Sequence, residues 1–503
     1  MHRDLEGAET ARRALAAGEN ALVWRKLVTD TLTPVGAALR LMKPGRGDFL
    51  LESVEGGLTR GRYTLLGIDP DLVFRAADGA AEVNRAWQRD TAAFAPAGSD
   101  PLAALRALLS DSAIAVPAEL PPALACVVGY FAYETLGLIE DVPRPHGPGV
   151  GLPDMLFVRP TLLLVFDTLG EEAFCIAPIW RGGDAEVALE AAGERIDTAL
   201  ARLTAPEPPT PRIAGALPDA ALTPQLDPAA YRAMVSRAQD YIAAGDIFQV
   251  VLSQRFACPF PLPPFALYRA LRRVNPSPFL YFLDLPGFAI VGSSPEILVR
   301  VRGGEVTVRP IAGTRPRGRD AREDEALARE LLADPKECAE HLMLLDLGRN
   351  DVGRVAARGS LRVAESFTIE RYSHVMHIVS EVTGRLDNGF DAVDALFAGF
   401  PAGTVSGAPK IRACEIVAEL EREARGAYAG GVGYFAPDGA IDSCIVLRTA
   451  VVKDGVMHVQ AGAGITADSD PAAEQRECEA KASALGAAAA EAFRIAREAL
   501  YGQ

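Results

Sequence analysis

Hydrophobic and polar positions fall into two periodicities, and the clearest patterns lie after a proline-rich stretch. That stretch, APEPPTPRIAGALPDAALTP (Ala205–Pro224), holds six prolines and no amphipathic period, so it reads as a linker. It divides the chain into residues 1–205, a linker at 206–224, and residues 225–503. In the second part, DPAAYRAMVSRAQDYIAAG predicts a helix with Asp227 as N-cap, Pro228 in the first turn and Gly245 as stop. IFQVVLSQRF predicts a strand. FLYFLDL and FAIVG flank Pro286-Gly287, and ILVRVR and EVTVRPI flank Gly303-Gly304, two hairpin patterns. Further on, GGVGYFA, AIDSCIVLRTAVV and VMHVQAGAGI predict three strands joined by PDG and KDG turns. The first part is less regular. ACVVGYFAYETL and TLLLVFD (Thr161–Asp167) predict buried strands, and Asp184–Leu203 has helical spacing behind an aspartate cap. Hairpin-joined strands with helices in blocks between them predict an α+β fold built on antiparallel sheet.

The Gly303-Gly304 hairpin carries geometry as well as class. With the two glycines as the loop, Glu296 lies across from Ile311 and beside Ala312. Two helical segments share one grammar. Asp334 caps, Pro335 follows, and Glu337 and Glu340 lie at i and i+3; Asp470 caps, Pro471 follows, and Glu474 and Glu477 lie at i and i+3, with Lys481 four residues beyond. Spacing alone makes these ordinary solvated faces. If the two faces converge, they offer oxygen ligands of the kind Mg²⁺ takes. GTVSGAPK (Gly403–Lys410) fails the phosphate-loop pattern, because its glycine spacing is wrong and Ile411 follows the lysine. It predicts a glycine-rich turn leading into a helix, whose amides suit an anion. His374 and His377 share a face only if YSHVMHIVSEV is helical, and on a strand they part.

Composition narrows the classes. The chain has 503 residues, 49% of them hydrophobic, with net charge −15 and a pI near 5.1. That is enough apolar sequence for large cores, and no basic footprint for nucleic acid. No apolar run approaches the roughly 20 residues of a membrane span, and the polar N-terminus lacks a secretory core. The seven cysteines include no CxxC pair, which fits a reduced, cytoplasmic protein without a disulfide framework.

Taken together and in order, GDIFQVVLSQRF, NPSPFLYFL, GSSPEILVR, RPIAGTRPRG, DPKECAEHLMLLDLGRNDVGRV, YSHVMHIVSEVTG, FPAGTVSGAPKIRACEI, GGVGYF, IVLRTA and QAGAGITADSDPAAEQRECEAKASAL resemble the chorismate-utilising enzymes, specifically the anthranilate synthase component I family. LLESVEGG, GRYTLLG and GYFAYE resemble its N-terminal segment more loosely. The resemblance implies large antiparallel sheets with helices packed outside. It implies conversion of chorismate and ammonia to anthranilate and pyruvate, with ammonia supplied from glutamine by a separate amidotransferase subunit. A hetero-oligomer follows, or a pairing of this subunit with itself. On matching positions the resemblance implies Mg²⁺ held by Glu340 and Glu477, with Glu337 and Glu474 in support. Thr404 and Lys481 would assist at the ring carboxylate; Tyr428, Arg448 and the backbone of Gly462, Ala463 and Gly464 would take the enolpyruvyl carboxylate. Glu296 stands at the family's general-acid position and His377 at its candidate for the later proton transfer. Glu52, Ser53 and Asn275, Pro276, Ser277, Pro278 and Phe279 resemble its tryptophan pocket, which implies feedback inhibition; Phe279-Leu280 departs from the family's frequent Tyr-Met.

The nearest rival is aminodeoxychorismate synthase component I, and outside the enzymes a catalytically dead tryptophan-binding homologue. The first typically has a nucleophilic lysine where this chain has Ala312, and water-adding relatives have a lysine base where it has Gln249. The complete set Glu296, Glu340, His377, Arg448, Glu477 and Lys481 argues against the second.

Overall fold

A computed structural model describes residues 5–52, 61–124, 126–206, 217–372 and 375–498. Within them the chain forms two twelve-stranded antiparallel sheets. Strands buried on both faces explain why so many apolar runs lack polar alternation. In Leu162–Asp167, Leu163 and Val165 face the space between the sheets, whereas Leu164 and Phe166 face helices. The inter-sheet core also takes Phe49, Tyr130 and Tyr281. One outer face packs against the helices Ala185–Thr204, Pro264–Val274 and Pro471–Glu498, through Ile196, Leu271 and Leu485. The second sheet packs against Ala392–Ala398 through Phe397, while Pro228–Ala243 and Lys410–Glu421 pack at the Gln249–Pro259 end of the first sheet through Val235 and Ile416. Each such side chain contributes about 1.5–3 kcal/mol of burial before entropy is counted.

Local signals explain the boundaries. Asp227 accepts the Ala229 amide at the start of Pro228–Ala243. Gly303 and Gly304 both have positive φ, 55° and 75°, as a two-residue hairpin of this type requires. The hairpin register pairs Arg300 with Thr307 and Arg302 with Glu305, the register the glycine pair predicts. Asp334 accepts the Lys336 and Glu337 amides. The Glu337 side chain reaches toward Arg315 at 3.5 Å.

The linker does not separate the sheets. In the first sheet, Asp48–Glu52 pairs with Phe279–Leu285, bringing Glu52 opposite Leu280. In the second, Val127–Phe131 pairs with Gly431–Phe435. One expectation fails: AIDSCIVLRTAVV is two strands. Ile441–Ile445 belongs to the second sheet and Thr449–Lys453 to the first. Val446 is buried and Leu447 largely so, so hydrophobicity runs unbroken through the bend and conceals it. No helix among the described residues is long and apolar enough to cross a membrane.

Candidate active site

Two neighbouring crossovers build the centre of the site. The strand Phe288–Ser294 lies in the first sheet, and after Pro295 and Glu296 the chain continues as Ile297–Arg302 in the second. Beside it, Val446–Arg448 makes the reverse passage. The two are stitched together: the Ile445 amide donates to the Glu296 carbonyl at 3.0 Å, and the Ser293 amide to the Arg448 carbonyl at 3.2 Å. Arg448 has φ of 48°, a left-handed conformation unfavourable for a residue with a Cβ, so the crossover sets its backbone. Glu296 and Arg448 therefore stand where the sheets part.

Glu296 is 6% exposed. Burial pushes its carboxyl up to about 8, while the Thr404 hydroxyl, the Ile311 amide and the Arg448 charge favour the ionised form less strongly. The Thr404 hydroxyl lies against the carboxyl, close enough to bias its ionisation though not in full hydrogen-bond geometry. The Ile311 amide contact puts Ala312 beside Glu296, as the hairpin spacing predicts.

His377 lies on the strand Val375–Arg385, and His374 falls outside the described residues. The His377 Nδ1 is 2.9 Å from the Gly313 carbonyl. A carbonyl only accepts, so Nδ1 carries the proton and Nε2 is left as the acceptor. Burial lowers the imidazole pKa, and the Arg448 charge adds to this. The ring is therefore biased to its neutral form. Tyr372 packs edge-on at 5.6 Å.

The first sheet supplies a flat backbone wall. Gly462, Ala463 and Gly464 lie on Val456–Ile465, opposite Ser253, Leu252 and Val251. A Cβ on Gly462 would come within 2.7 Å of the Tyr428 hydroxyl, and one on Gly464 within 2.4 Å of Gln249 Nε2. Only glycine permits that approach.

Glu340 and Glu477, on the two acidic helices, lie near enough for the charge of one to act on the other. Burial raises the Glu340 carboxyl, and the charges of Glu337 on its own helix and Glu477 on the other raise it further. Burial and Glu477 likewise raise Glu474. Lys481 is paired with Glu477 at 2.7 Å and donates to the Gly462 carbonyl at 2.9 Å. Among the described residues no three His, Cys, Asp or Glu side chains are close enough to hold a metal ion. The donor chemistry nonetheless suits a hard cation: buried carboxylates set near like charges gain from a divalent charge placed among them. Lys410, from the loop that resembles a phosphate site, is paired with Asp351 at 2.8 Å.

A second cluster lies at the same end of Phe279–Leu285 as the exit to Glu296, on the neighbouring strand. Glu52 accepts from Tyr268 and Arg272. Ser53 lies outside the described residues. The Asn275 carbonyl accepts from Ser293 Oγ, while Asn275 Nδ2 is buried with no hydrogen-bond partner among the described residues. Pro276 is half-buried, and Ser277 and Pro278 are buried. Glu52, Pro278 and Phe279 line a cavity of about 760 Å³ between the sheets, with Tyr63, Tyr372 and Tyr434 on its walls.

Sequence reasoning misses one pair at the site. Arg425 and Glu421 lie at i and i+4, the spacing of a surface pair, yet their side chains are 1% and 4% exposed.

Residues 48–487 match the family described as chorismate binding enzyme. Anthranilate synthase component 1 of Cereibacter sphaeroides is 51% identical over 98% of this chain and 99% of its own length. That of Thermus thermophilus is 49% identical over 92% of this chain and 96% of its own. The crystal structure of anthranilate synthase component I from Streptococcus pneumoniae superposes with a TM-score of 0.74 at 35% identity, covering 92% of this chain and 98% of that one.

Proposed function

The chain belongs to the chorismate binding enzyme family, and we infer that it converts chorismate and ammonia to anthranilate and pyruvate, as component I of an anthranilate synthase. This is the first committed step of tryptophan biosynthesis. The observation that carries the reading is the pairing of Glu296 with Ala312. A buried carboxyl that holds its proton near neutral pH stands beside a position with no nucleophile. Such a site can protonate a leaving group but cannot attack the ring itself, so ammonia must be the nucleophile.

In the first stage ammonia bonds to C2 and gives up a proton, both ring double bonds shift, from C1=C2 to C1=C6 and from C5=C6 to C4=C5, and the C4 hydroxyl leaves. Hydroxide leaves poorly, and proton donation from Glu296 lets it depart as water. Arg448 pairs with the enolpyruvyl carboxylate through two parallel donors, with Tyr428 and the Gly462–Gly464 backbone beside it. Thr404 and Lys481 assist at the ring carboxylate. Glu340 and Glu477, supported by Glu337 and Glu474, would hold Mg²⁺, which when bound neutralises that carboxylate and draws electron density from the ring. In the second stage the C2 proton is removed, the C3–oxygen bond breaks, pyruvate leaves and the ring becomes aromatic. Neutral His377, its Nδ1 proton fixed on Gly313, presents Nε2 to take that proton.

The chain uses ammonia that a separate glutamine amidotransferase subunit releases, or free ammonia at high concentration. Glu52, Ser53 and Asn275–Phe279 bind tryptophan as a feedback inhibitor, and the Asn275 amide nitrogen, buried with no hydrogen-bond partner among the described residues, supports a polar ligand there. Incubation of the purified chain with chorismate, Mg²⁺ and ammonium, followed by anthranilate fluorescence, tests the function. Aminodeoxychorismate, isochorismate or no turnover would overturn it.

A further inference from the structure

Behind the strand that carries Gly462–Gly464 lies a buried charge pair bonded to the backbone that flanks it. Arg425 Nε and Nη2 donate to the two oxygens of Glu421 at 2.9 and 2.6 Å. Nη2 also donates to the Val251 carbonyl at 2.7 Å, and Nη1 to the Val405 carbonyl at 2.8 Å. Val251 is the strand partner of Gly464, and Val405 follows Thr404 in the chain. The guanidinium lies 5.6 Å from the centre of the Tyr428 ring. Glu421 in turn accepts the amide and hydroxyl of Ser253 at 2.7 and 2.9 Å, and Ser253 is the strand partner of Gly462.

One buried fork thus fixes the spacing among the loop with Thr404, the ring of Tyr428 and the strand that backs Gly462–Gly464. A simple packing role would not need it, because apolar side chains of similar volume fill buried space at least as favourably as a buried ion pair. The fork geometry of an arginine, not its charge alone, matches four acceptors in fixed directions.

We propose that Arg425, oriented by Glu421, is a positioning residue that sets the distance between the groups receiving chorismate's two carboxylates. The inference rests on the chorismate reading above. Arg425 touches no reacting atom; it acts through Thr404, Tyr428 and the glycine strand. Misplacement of such groups by about 1 Å costs on the order of a hundredfold in rate. Binding of a rigid dicarboxylate should suffer, and use of ammonia should not.

The test compares the full chain with Arg425→Lys and with the double variant Arg425→Met/Glu421→Leu, using ammonium as nitrogen donor and thermal unfolding to confirm the fold. The double variant keeps the volume and removes both charges together, so neither is left buried alone. The expected result is a chorismate KM raised at least about tenfold, with the ammonium KM unchanged within about twofold and Arg425→Lys intermediate. A folded double variant with the wild-type chorismate KM overturns the proposal, as does an equal loss toward both substrates. Should the double variant fail to fold, Arg425→Lys decides by the same criterion. A wild-type chain that makes no anthranilate defeats the underlying reading; active wild type with unaltered variants defeats the positioning role alone.

Discussion

At the scale of the residue, the reading of the product rests on the proposed acid Glu296 and its neighbour Ala312. Burial raises the Glu296 carboxyl to about 8, so the protonated form persists through neutral pH and is lost as pH rises through that value. With free ammonia held constant, kcat should fall along an alkaline limb near pH 8. Glu296→Gln should lower kcat by about 10²–10⁴ and abolish that limb. If the limb survives in Glu296→Gln, the acid lies elsewhere. Ala312→Lys would put an amine beside the same carboxyl. The expected outcome is a chorismate-derived adduct seen by intact mass, with loss of anthranilate formation; normal amination without adduct would contradict the role given to alanine. These two residues were legible because a hairpin with two central glycines allows one register. Arg425 and Glu421 were not: the helix Lys410–Glu421 ends at Glu421, and after a left-handed Arg422 the chain turns Arg425 back into the interior, so their i, i+4 spacing is not that of a helix face.

Helices and strands explain what pattern can and cannot reveal. Aspartate caps and prolines marked the starts of both acidic helices, because capping chemistry is local. Their approach depends on sheets that neither helix sequence encodes. The Glu340 carboxyl, raised first by burial and further by the charges of Glu337 and Glu477, is the physical sign of it. Glu340→Ala removes a half-buried carboxylate that forms no ion pair among the described residues. It should leave the thermal midpoint within about 2 °C while abolishing Mg²⁺-dependent turnover and calorimetric Mg²⁺ binding. Full activity in the folded variant would refute the ligand assignment. The bend at Val446–Arg448 stayed hidden for a different reason. A strand that leaves one sheet for another stays buried throughout, and burial is what hydrophobicity reports.

For the whole molecule, the cluster around Glu52 and the proposed catalytic site sit at the same end of shared strands, since Glu52 and Ser293 both lie opposite Leu280. Phe279–Leu285 begins beside Glu52 and joins through its hairpin to Phe288–Ser294, which leads to Glu296. If tryptophan binds at the first of these, a concentration of 100 times Kd should stabilise the fold by about 2.7 kcal/mol. Glu52→Gln should lose that shift and the inhibition, with chorismate KM unchanged within about twofold. A thermal shift of wild-type size in Glu52→Gln would move the inhibitor site elsewhere. The sharing of strands across the linker has a further consequence, for the chain as it is made. Asp48–Glu52 leaves the ribosome about 230 residues before its partner Phe279–Leu285, and Val127–Phe131 about 300 residues before Gly431–Phe435. At roughly 5–20 residues per second, those edges wait on the order of 10 to 60 s for the strands that close them. For that interval they are open to any other strand that arrives first. The hazard of aggregation is thus set by the pace of translation rather than by the stability of the finished enzyme.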